Sequence, residues 1–210
     1  RNGNLGFLLI PVIVAIAACP STTPPPTPQF AGIPGCGPSG GLLGPSHRSF
    51  PTPAALAAEV AMLSHLLPVR RVGVLHGPGT PPSAVQALVN SSPVTGVTVV
   101  VQAAGSERQL PPAIRQLLGS GVDVVLVADE PMLMQKDVLA YLVIVTLDDG
   151  KPMVAARTDA VCAGATVGFD ASAFQPHSQA LSMGVNVRAC RALGLNPPPA
   201  LLAQAALVIR

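Results

Sequence analysis

From residue 70 onward, short apolar runs alternate with segments of helical composition. The clearest run is residues 121–130, Gly-Val-Asp-Val-Val-Leu-Val-Ala-Asp-Glu, which is rich in β-branched residues and ends in two carboxylates. Apolar residues that do not alternate with polar ones indicate a strand that is buried on both faces, as in the middle of a parallel sheet. We therefore predict that residues 122–128 form the central strand of the fold.

The rest of this region predicts strands and helices in alternation. Further strands are expected at residues 71–76, 97–102, 153–156 and 165–169, and helices at residues 54–67, 82–90, 107–118, 131–147 and 174–193. Residues 141–145 are also rich in β-formers, but the alternation requires a crossover helix there. Residues 205–209 suit either a strand or a helix end. Alternating strands and helices form right-handed βαβ units, so the predicted fold is α/β, with a doubly wound parallel sheet of about five strands.

The N-terminal 53 residues have a different composition. Residues 5–19 are apolar and uncharged, follow Arg1, and end in Ile-Ala-Ala-Cys. The segment is shorter than the ~20 residues of a transmembrane helix, but it has the dimensions of a signal-peptide core. Its ending resembles a bacterial lipoprotein signal, in which Cys19 would carry the lipid. Residues 1–19 are therefore either such a signal or a retained hydrophobic anchor.

The domain organisation follows from these compositions. Residues 20–53 form a linker rich in Pro and Gly, which is extended and has no core of its own. A single helix is expected within residues 54–68, and residues 70–210 make up the α/β lobe. Arg1 precedes the apolar segment and no further Lys or Arg occurs before Arg48, so the positive-inside tendency places the bulk of the chain outside the cytoplasm. The expected location is the periplasmic side of a bacterial membrane, with the chain anchored there.

Composition and spacing argue against several functions. The net charge is +2, charged residues make up 10% of the chain, and there is no Trp and one Tyr, so we expect no nucleic-acid partner. The four histidines are far apart and the cysteines lack metal-site spacing, so neither a metal nor another cofactor is expected. Cys162 and Cys190 either pair in an exported protein or remain buried thiols. No nucleophile–base pair can be assembled from the polar residues, so we expect no enzyme activity.

Candidate binding residues follow from the predicted sheet. In open α/β sheets, ligands bind beyond the carboxyl ends of the strands. The residues at these ends that we expect to contact a ligand are Gly79, Thr80, Asp129, Glu130, Thr158 and Asp170. Two alternatives remain open: residues 77–80 can be a plain turn, and the two carboxylates after the central strand can cap the next helix. The only histidine placed at a strand end is His76, which we expect to face the cleft.

Several of these motifs resemble a known family when they are taken in order. They are Val-Gly-Val-Leu at 72–75 with its Gly-Pro turn, the run at 121–131, Lys-Pro-Met-Val-Ala at 151–155, and residues 162–170. Over residues 70–202 their spacing is similar to that of the ABC-transporter substrate-binding proteins of periplasmic-binding-protein type 1. The resemblance implies one of the two lobes that close on a small solute. Here an anchor, a linker and one helix stand in the place of the other lobe.

Together these observations predict a membrane-anchored, extracytoplasmic, non-catalytic subunit with a solute-binding-protein-like lobe. Half a cleft buries too little of a small ligand for strong binding, so the expected role is accessory or structural, with protein partners in a membrane complex. The alternative is an ABC-transporter-type substrate-binding lipoprotein for a small organic solute.

Overall fold

A computed structural model describes Cys36 and residues 50–91, 95–170 and 182–210. Seven strands in these residues form one sheet: β1 (Arg71–His76), β2 (Thr98–Ala103), β3 (Val124–Val127), β4 (Met153–Ala155), β5 (Val167–Asp170), β6 (Ser182–Asn186) and β7 (Leu207–Ile209). Their order is β2-β1-β3-β4-β5-β6-β7. All neighbours are parallel except β5 and β6, which are antiparallel. The α/β class and the mostly parallel sheet are therefore confirmed.

Helices cover both faces of the sheet. They are α1 (Pro53–Leu63), α2 (Pro82–Val89), α3 (Leu110–Gly119), α4 (Lys136–Asp148), α5 (Val187–Ala192) and α6 (Pro199–Gln204), with 3₁₀ turns at Glu107–Gln109 and Thr158–Ala163. The apolar core has two main parts. Helices α3 and α4 pack on one face of the sheet, and α1, α2, α5 and α6 pack on the other. This is the three-layer arrangement that the alternating pattern predicts.

The central strand β3 is buried on both faces, as its uninterrupted apolar sequence indicates. Val124 and Leu126 contact the core beside α1, whereas Val125 and Val127 contact the core beside α3 and α4. All four side chains are at most 1% exposed. Just before the strand, Asp123 accepts hydrogen bonds from the first backbone N–H groups of the β1 region, Arg70 at 2.7 Å and Arg71 at 2.8 Å. These bonds join the starts of the two strands.

Two predictions about the elements need correction. The sheet has seven described strands rather than about five, and in the described part of the helix predicted for residues 174–193, which is residues 182–193, only Val187–Ala192 is helical. Residues 182–186 form β6 because their backbone pairs with β5, with Gly184 opposite Gly168. Residues 171–181 lie outside the described residues. The open alternative at residues 205–209 resolves as a strand, since β7 pairs with β6.

Helix boundaries follow the local capping chemistry. The Thr52 hydroxyl accepts a hydrogen bond from the Ala55 N–H at 3.2 Å, and Pro53 occupies the first position of α1, where a missing N–H carries no penalty. The predicted helix at residues 107–118 is divided into a 3₁₀ turn and α3, and Ser106 does not cap it with its side chain. The crossover helix predicted at 131–147 is confirmed as α4, which begins later, at Lys136.

One disulfide ties a distant part of the chain to the lobe. Cys36 is bonded to Cys162, their Cα atoms are 5.8 Å apart, and Cys190 is a buried free thiol. The alternative pairing of Cys162 with Cys190 is therefore wrong. Cys36 packs against a small apolar cluster that includes Ile209 of β7. The predicted anchor, including Cys19, and most of the linker lie outside the described residues. Among those described, no helix has the length and hydrophobicity to cross a bilayer.

Candidate functional site

The carboxyl ends of β1, β3, β4 and β5 open at one edge of the sheet, because these strands are parallel. The six candidate residues follow these ends in two groups. Gly79, Thr80, Asp129 and Glu130 follow β1 and β3, which are paired neighbours; Thr158 and Asp170 belong to the ends of β4 and β5. The structure therefore brings the candidates to one edge and divides them between two adjacent strand pairs.

In the first group, the turn after β1 holds the side chain of Glu130. One carboxylate oxygen accepts a hydrogen bond from the Gly77 N–H at 2.8 Å, and the other accepts one from the Gly79 N–H at 3.0 Å. The Thr80 hydroxyl also donates to this carboxylate. Glu130 is only 4% exposed. Successive backbone N–H groups in a turn form a cradle for an anion, and here that anion is the protein's own.

The absence of a Cβ atom at residues 77 and 79 lets the carboxylate lie directly over the backbone of this turn. A Cβ atom on residue 77 would come within 2.4 Å of a Glu130 oxygen, and one on residue 79 within 3.1 Å. The backbone N–H groups of Gly77 and Gly79 are therefore bonded to a side chain of the protein itself. Gly77 was not among the predicted site residues. Its sequence signal is the Gly-x-Gly spacing after a strand, but that spacing does not say which anion is bound.

The two carboxylates after β3 do not cap the following helix. Helix α4 begins at Lys136, with Gln135 at its N-cap position, and residues 131–134 form turns in between. The capping alternative is thus wrong for both Asp129 and Glu130. Asp129 is 1% exposed, so its carboxylate lies inside the protein.

In the second group, the residues after β4 and β5 line a cavity of about 200 Å³. Its described walls are Ala156, Arg157, Thr158, Asp159, Asp170 and Leu207. The Arg157 guanidinium contacts Asp159 in a bidentate manner, with N–O distances of 3.0 and 2.7 Å. The arginine side chain is 10% exposed and the aspartate side chain 45%. The wall of the cavity thus carries a positive group whose partner still faces solvent.

Two glycines let the backbone of residues 157 and 158 approach the sheet. Gly168 and Gly184 lie opposite each other in β5 and β6. A Cβ atom on the first would be 2.1 Å from the Arg157 carbonyl oxygen, and one on the second 2.5 Å from that of Thr158. The Thr158 hydroxyl donates to the Ser182 carbonyl oxygen at 3.2 Å. This close approach sets the position of the cavity.

Four residues of this cavity were not among the predicted site residues: Ala156, Arg157, Asp159 and Leu207. Arg157 directly follows the predicted fourth strand, so its place at a strand end was a usable signal. Leu207 gave no such signal, because β7 reaches the site only by pairing with β6.

The position of His76 also differs from the prediction that it faces the cleft. It is 9% exposed, its Nδ1 lies 2.8 Å from the Gly77 carbonyl oxygen, and its ring packs edge-on against Phe50 at 5.8 Å, so it is a packed side chain rather than a cleft residue.

Comparison with known proteins identifies the fold. No family model and no curated protein matches the sequence. Among solved structures, similarity is found to a conserved domain protein from Vibrio cholerae O1 biovar eltor, with a TM-score of 0.60 and 18% identity over 74% of this chain and 60% of that one. An ABC domain in complex with L-Trp from Streptococcus pneumonia has a TM-score of 0.59 and 18% identity, covering 73% and 62%. A substrate binding protein with adhesive properties from Clostridium difficile, in its ligand-free open form, has a TM-score of 0.55 and 18% identity, covering 72% and 58%.

These likenesses confirm the predicted resemblance at the level of the fold. The chain has a periplasmic-binding-protein-like fold, and it spans about 60% of the length of the solved structures that it matches. At 18% identity the similarity concerns the fold alone.

Proposed function

We propose that this chain is a membrane-anchored, extracytoplasmic, non-catalytic subunit whose lobe docks onto a protein partner in a membrane complex. The observation that carries the proposal is the Glu130 carboxylate in the turn after β1. An anionic solute at this strand end would have to displace a buried carboxylate that accepts hydrogen bonds from Gly77, Gly79 and Thr80. Hydrogen bonds to a charged group contribute about 1.5–3 kcal/mol each. Few solute interactions would offset that loss.

The size of the neighbouring cavity supports the same choice. Ligand pockets usually enclose roughly 300–1,000 Å³, whereas the cavity beside Arg157 measures about 200 Å³. Polar groups on its wall also have partners within the protein, since Arg157 is bonded to Asp159 and Thr158 to Ser182. An edge whose polar groups are already paired suits contact with a protein surface better than enclosure of a solute.

The disulfide and the N-terminal composition support an extracytoplasmic location. Disulfides persist in oxidising compartments such as the bacterial periplasm, and Cys36 is bonded to Cys162. The apolar residues 5–19 supply either a lipid attachment site at Cys19 or a hydrophobic anchor. An intact mass of the native protein separates these two forms, because lipidation makes Cys19 the N-terminal residue and removes the residues before it.

The alternative is a solute-binding lobe for a small organic molecule. It is favoured by the cavity itself, whose wall combines one guanidinium with the carboxylates Asp159 and Asp170. Such a set suits a solute that carries both charges. It is also favoured by the similarity to a domain that was solved with L-Trp.

One experiment decides between the two. The full chain is extracted in mild detergent and analysed for co-purifying proteins, and its melting temperature is measured with amino acids, aromatic acids and sugars. A ligand at 100 times its Kd adds about 2.7 kcal/mol, or roughly 5–10 °C for a chain of this size. We expect a stoichiometric protein partner and no such shift. A shift that is lost in Arg157→Met but kept in the exposed control Arg108→Met would replace the proposal with the alternative.

A further inference from the structure

A second cavity, of about 210 Å³, lies between the start of α3 and the first turns of α4. We call it the α3–α4 groove. Its described walls are Glu107, Leu110, Pro111, Asp137, Val138 and Tyr141. Leu110 and Val138 also belong to the core on this face of the sheet. The groove is separate from the cavity beside Arg157, and no residue lines both.

The groove combines an apolar floor with an acidic rim. Leu110 and Val138 are 3% and 7% exposed, and Tyr141 is partly buried against the same core. Glu107 and Asp137 are exposed. Within the described part of the chain, neither carboxylate forms an ion pair, and no Lys or Arg lines the groove, although Arg108 and Lys136 adjoin it in sequence. Two carboxylates therefore border an apolar surface without a cation of their own.

Helix α4, which forms one wall of the groove, has more apolar residues than its packing against the core requires. Residues 138–145 of α4 are all apolar or aromatic, whereas the outward face of a surface helix is normally polar. Ile144 is 55% exposed. It follows Tyr141 by three residues and therefore lies on the same side of the helix. The apolar floor of the groove thus continues along the exposed side of α4.

We propose that the α3–α4 groove is a docking site for an apolar segment of a protein partner that inserts one arginine side chain between Glu107 and Asp137. The aliphatic stem of an arginine suits the floor formed by Leu110 and Val138. Its guanidinium pairs with carboxylates in a planar, bidentate geometry and stacks on an aromatic ring such as that of Tyr141. The apolar residues around the arginine then cover Ile144. This inference rests on the proposed docking function and names the chemistry of the partner.

The composition of the chain supplies a reporter for this site. Tyr141 is the only tyrosine and there is no tryptophan, so the intrinsic fluorescence of the protein comes from the groove. The full chain in mild detergent is titrated with a blocked pentapeptide that has a central arginine flanked by leucines. A matched peptide has glutamine in place of the arginine. We expect a saturable fluorescence change with the arginine peptide that weakens as salt is raised.

Variants localise the effect. Glu107→Gln with Asp137→Asn removes the acidic rim and should weaken arginine-peptide binding by about fivefold or more, as expected for the loss of two partly exposed ion pairs. Asp148→Asn with Asp149→Asn removes the same charge from exposed residues at the other end of α4 and should leave the affinity unchanged. Circular dichroism confirms that both variants fold.

Three results would overturn the proposal. If the glutamine peptide binds as tightly as the arginine peptide, recognition of an arginine is excluded. If free arginine binds as tightly as the peptide, the groove binds a small ligand rather than a protein. A dimer that dissociates in the Glu107→Gln, Asp137→Asn variant would identify a second copy of this chain as the occupant. The proposed function is tested separately. If a partner still co-purifies with this variant at wild-type yield, docking stands and only the groove is excluded.

Discussion

At the scale of single residues, Glu130 accepts the hydrogen bonds of the backbone N–H groups that follow β1. A turn with two glycines after a parallel strand presents backbone N–H groups that suit a phosphate or a carboxylate. In this chain, a carboxylate from the end of the adjacent strand β3 reaches those groups, and it is 4% exposed. The same hydrogen bonds that would hold a ligand instead join two strand ends.

Removing the charge of Glu130 should therefore destabilise the lobe. In Glu130→Gln one carboxylate oxygen is replaced by an NH₂ group, which cannot accept a hydrogen bond, so at least one backbone N–H of the turn loses its partner. We expect the free energy of unfolding to fall by about 1.5–3 kcal/mol, measured by urea denaturation at neutral pH. Glu107→Gln, an exposed change of the same kind, should alter it by about 0.5 kcal/mol or less. Equal effects of the two substitutions would contradict the assignment.

At the scale of elements, α1 packs onto the sheet with a carboxylic acid on its buried face. Leu56, Val60 and Leu63 join the core beside β1 and β3, and Glu59 on the same face is 1% exposed. Neither oxygen of Glu59 has a hydrogen-bond partner in the described part of the chain. Desolvation by burial raises the pKa of Glu59 to about 8. The side chain is therefore neutral when α1 is packed at pH 7.

The packing of α1 should weaken as the pH rises. Between the ordinary pKa of 4.5 and the folded-state pKa of about 8, the folded chain binds a proton that the unfolded chain does not. The contribution of protonated Glu59 to the free energy of unfolding is thus fully present below pH 4.5. It is lost as the pH rises towards 8, at up to about 1.4 kcal/mol per pH unit. Glu59→Gln, which cannot ionise, should flatten this dependence in urea unfolding between pH 5 and 8. Glu107→Gln should retain the wild-type slope, and a wild-type slope in Glu59→Gln would refute the assignment.

Elements also show where sequence patterns fail. Strand β3 and helix α4 were predictable because uninterrupted apolar residues and the required crossover are local signals. Strand β6 was predicted as part of a helix, since Ser182–Asn186 becomes a strand only by pairing with β5, which runs in the opposite direction. Strand β7 is three residues long and depends in turn on β6. An added edge strand depends on its neighbour, which no local window contains.

At the scale of the whole molecule, the disulfide joins two distant parts of the chain. Cys36 and Cys162 are 126 residues apart in sequence, and Cys36 packs against β7 and the 3₁₀ turn beside β4. A bond that closes so long a loop chiefly restricts the unfolded chain. It also keeps the predicted linker against the edge of the sheet at residue 36.

Loss of this bond should lower stability strongly. Cys36→Ser with Cys162→Ser should reduce the free energy of unfolding by about 2–5 kcal/mol. Hydrogen exchange should increase first in β7, whose Ile209 belongs to the apolar cluster against which Cys36 packs. A reducing agent should lower the melting temperature of the wild-type chain and leave that of the double variant unchanged. If both proteins respond equally to the reductant, the Cys36–Cys162 bond is not the source of the stability.

The sequence by itself determined the α/β class, the buried central strand, the crossover helix and the set of strand ends that form the candidate site. Each of these depends on residues close together in the chain, whose periodicity and apolar content are visible directly. Only the tertiary structure decided what those strand ends do. Glu130 meets Gly77 across 53 residues, Thr158 meets Ser182 across 24, and Cys36 meets Cys162 across 126. Such pairs form because folding brings the strand ends together. The turn after β1, which the sequence presents as a candidate ligand site, therefore holds the side chain of Glu130 from the adjacent strand end.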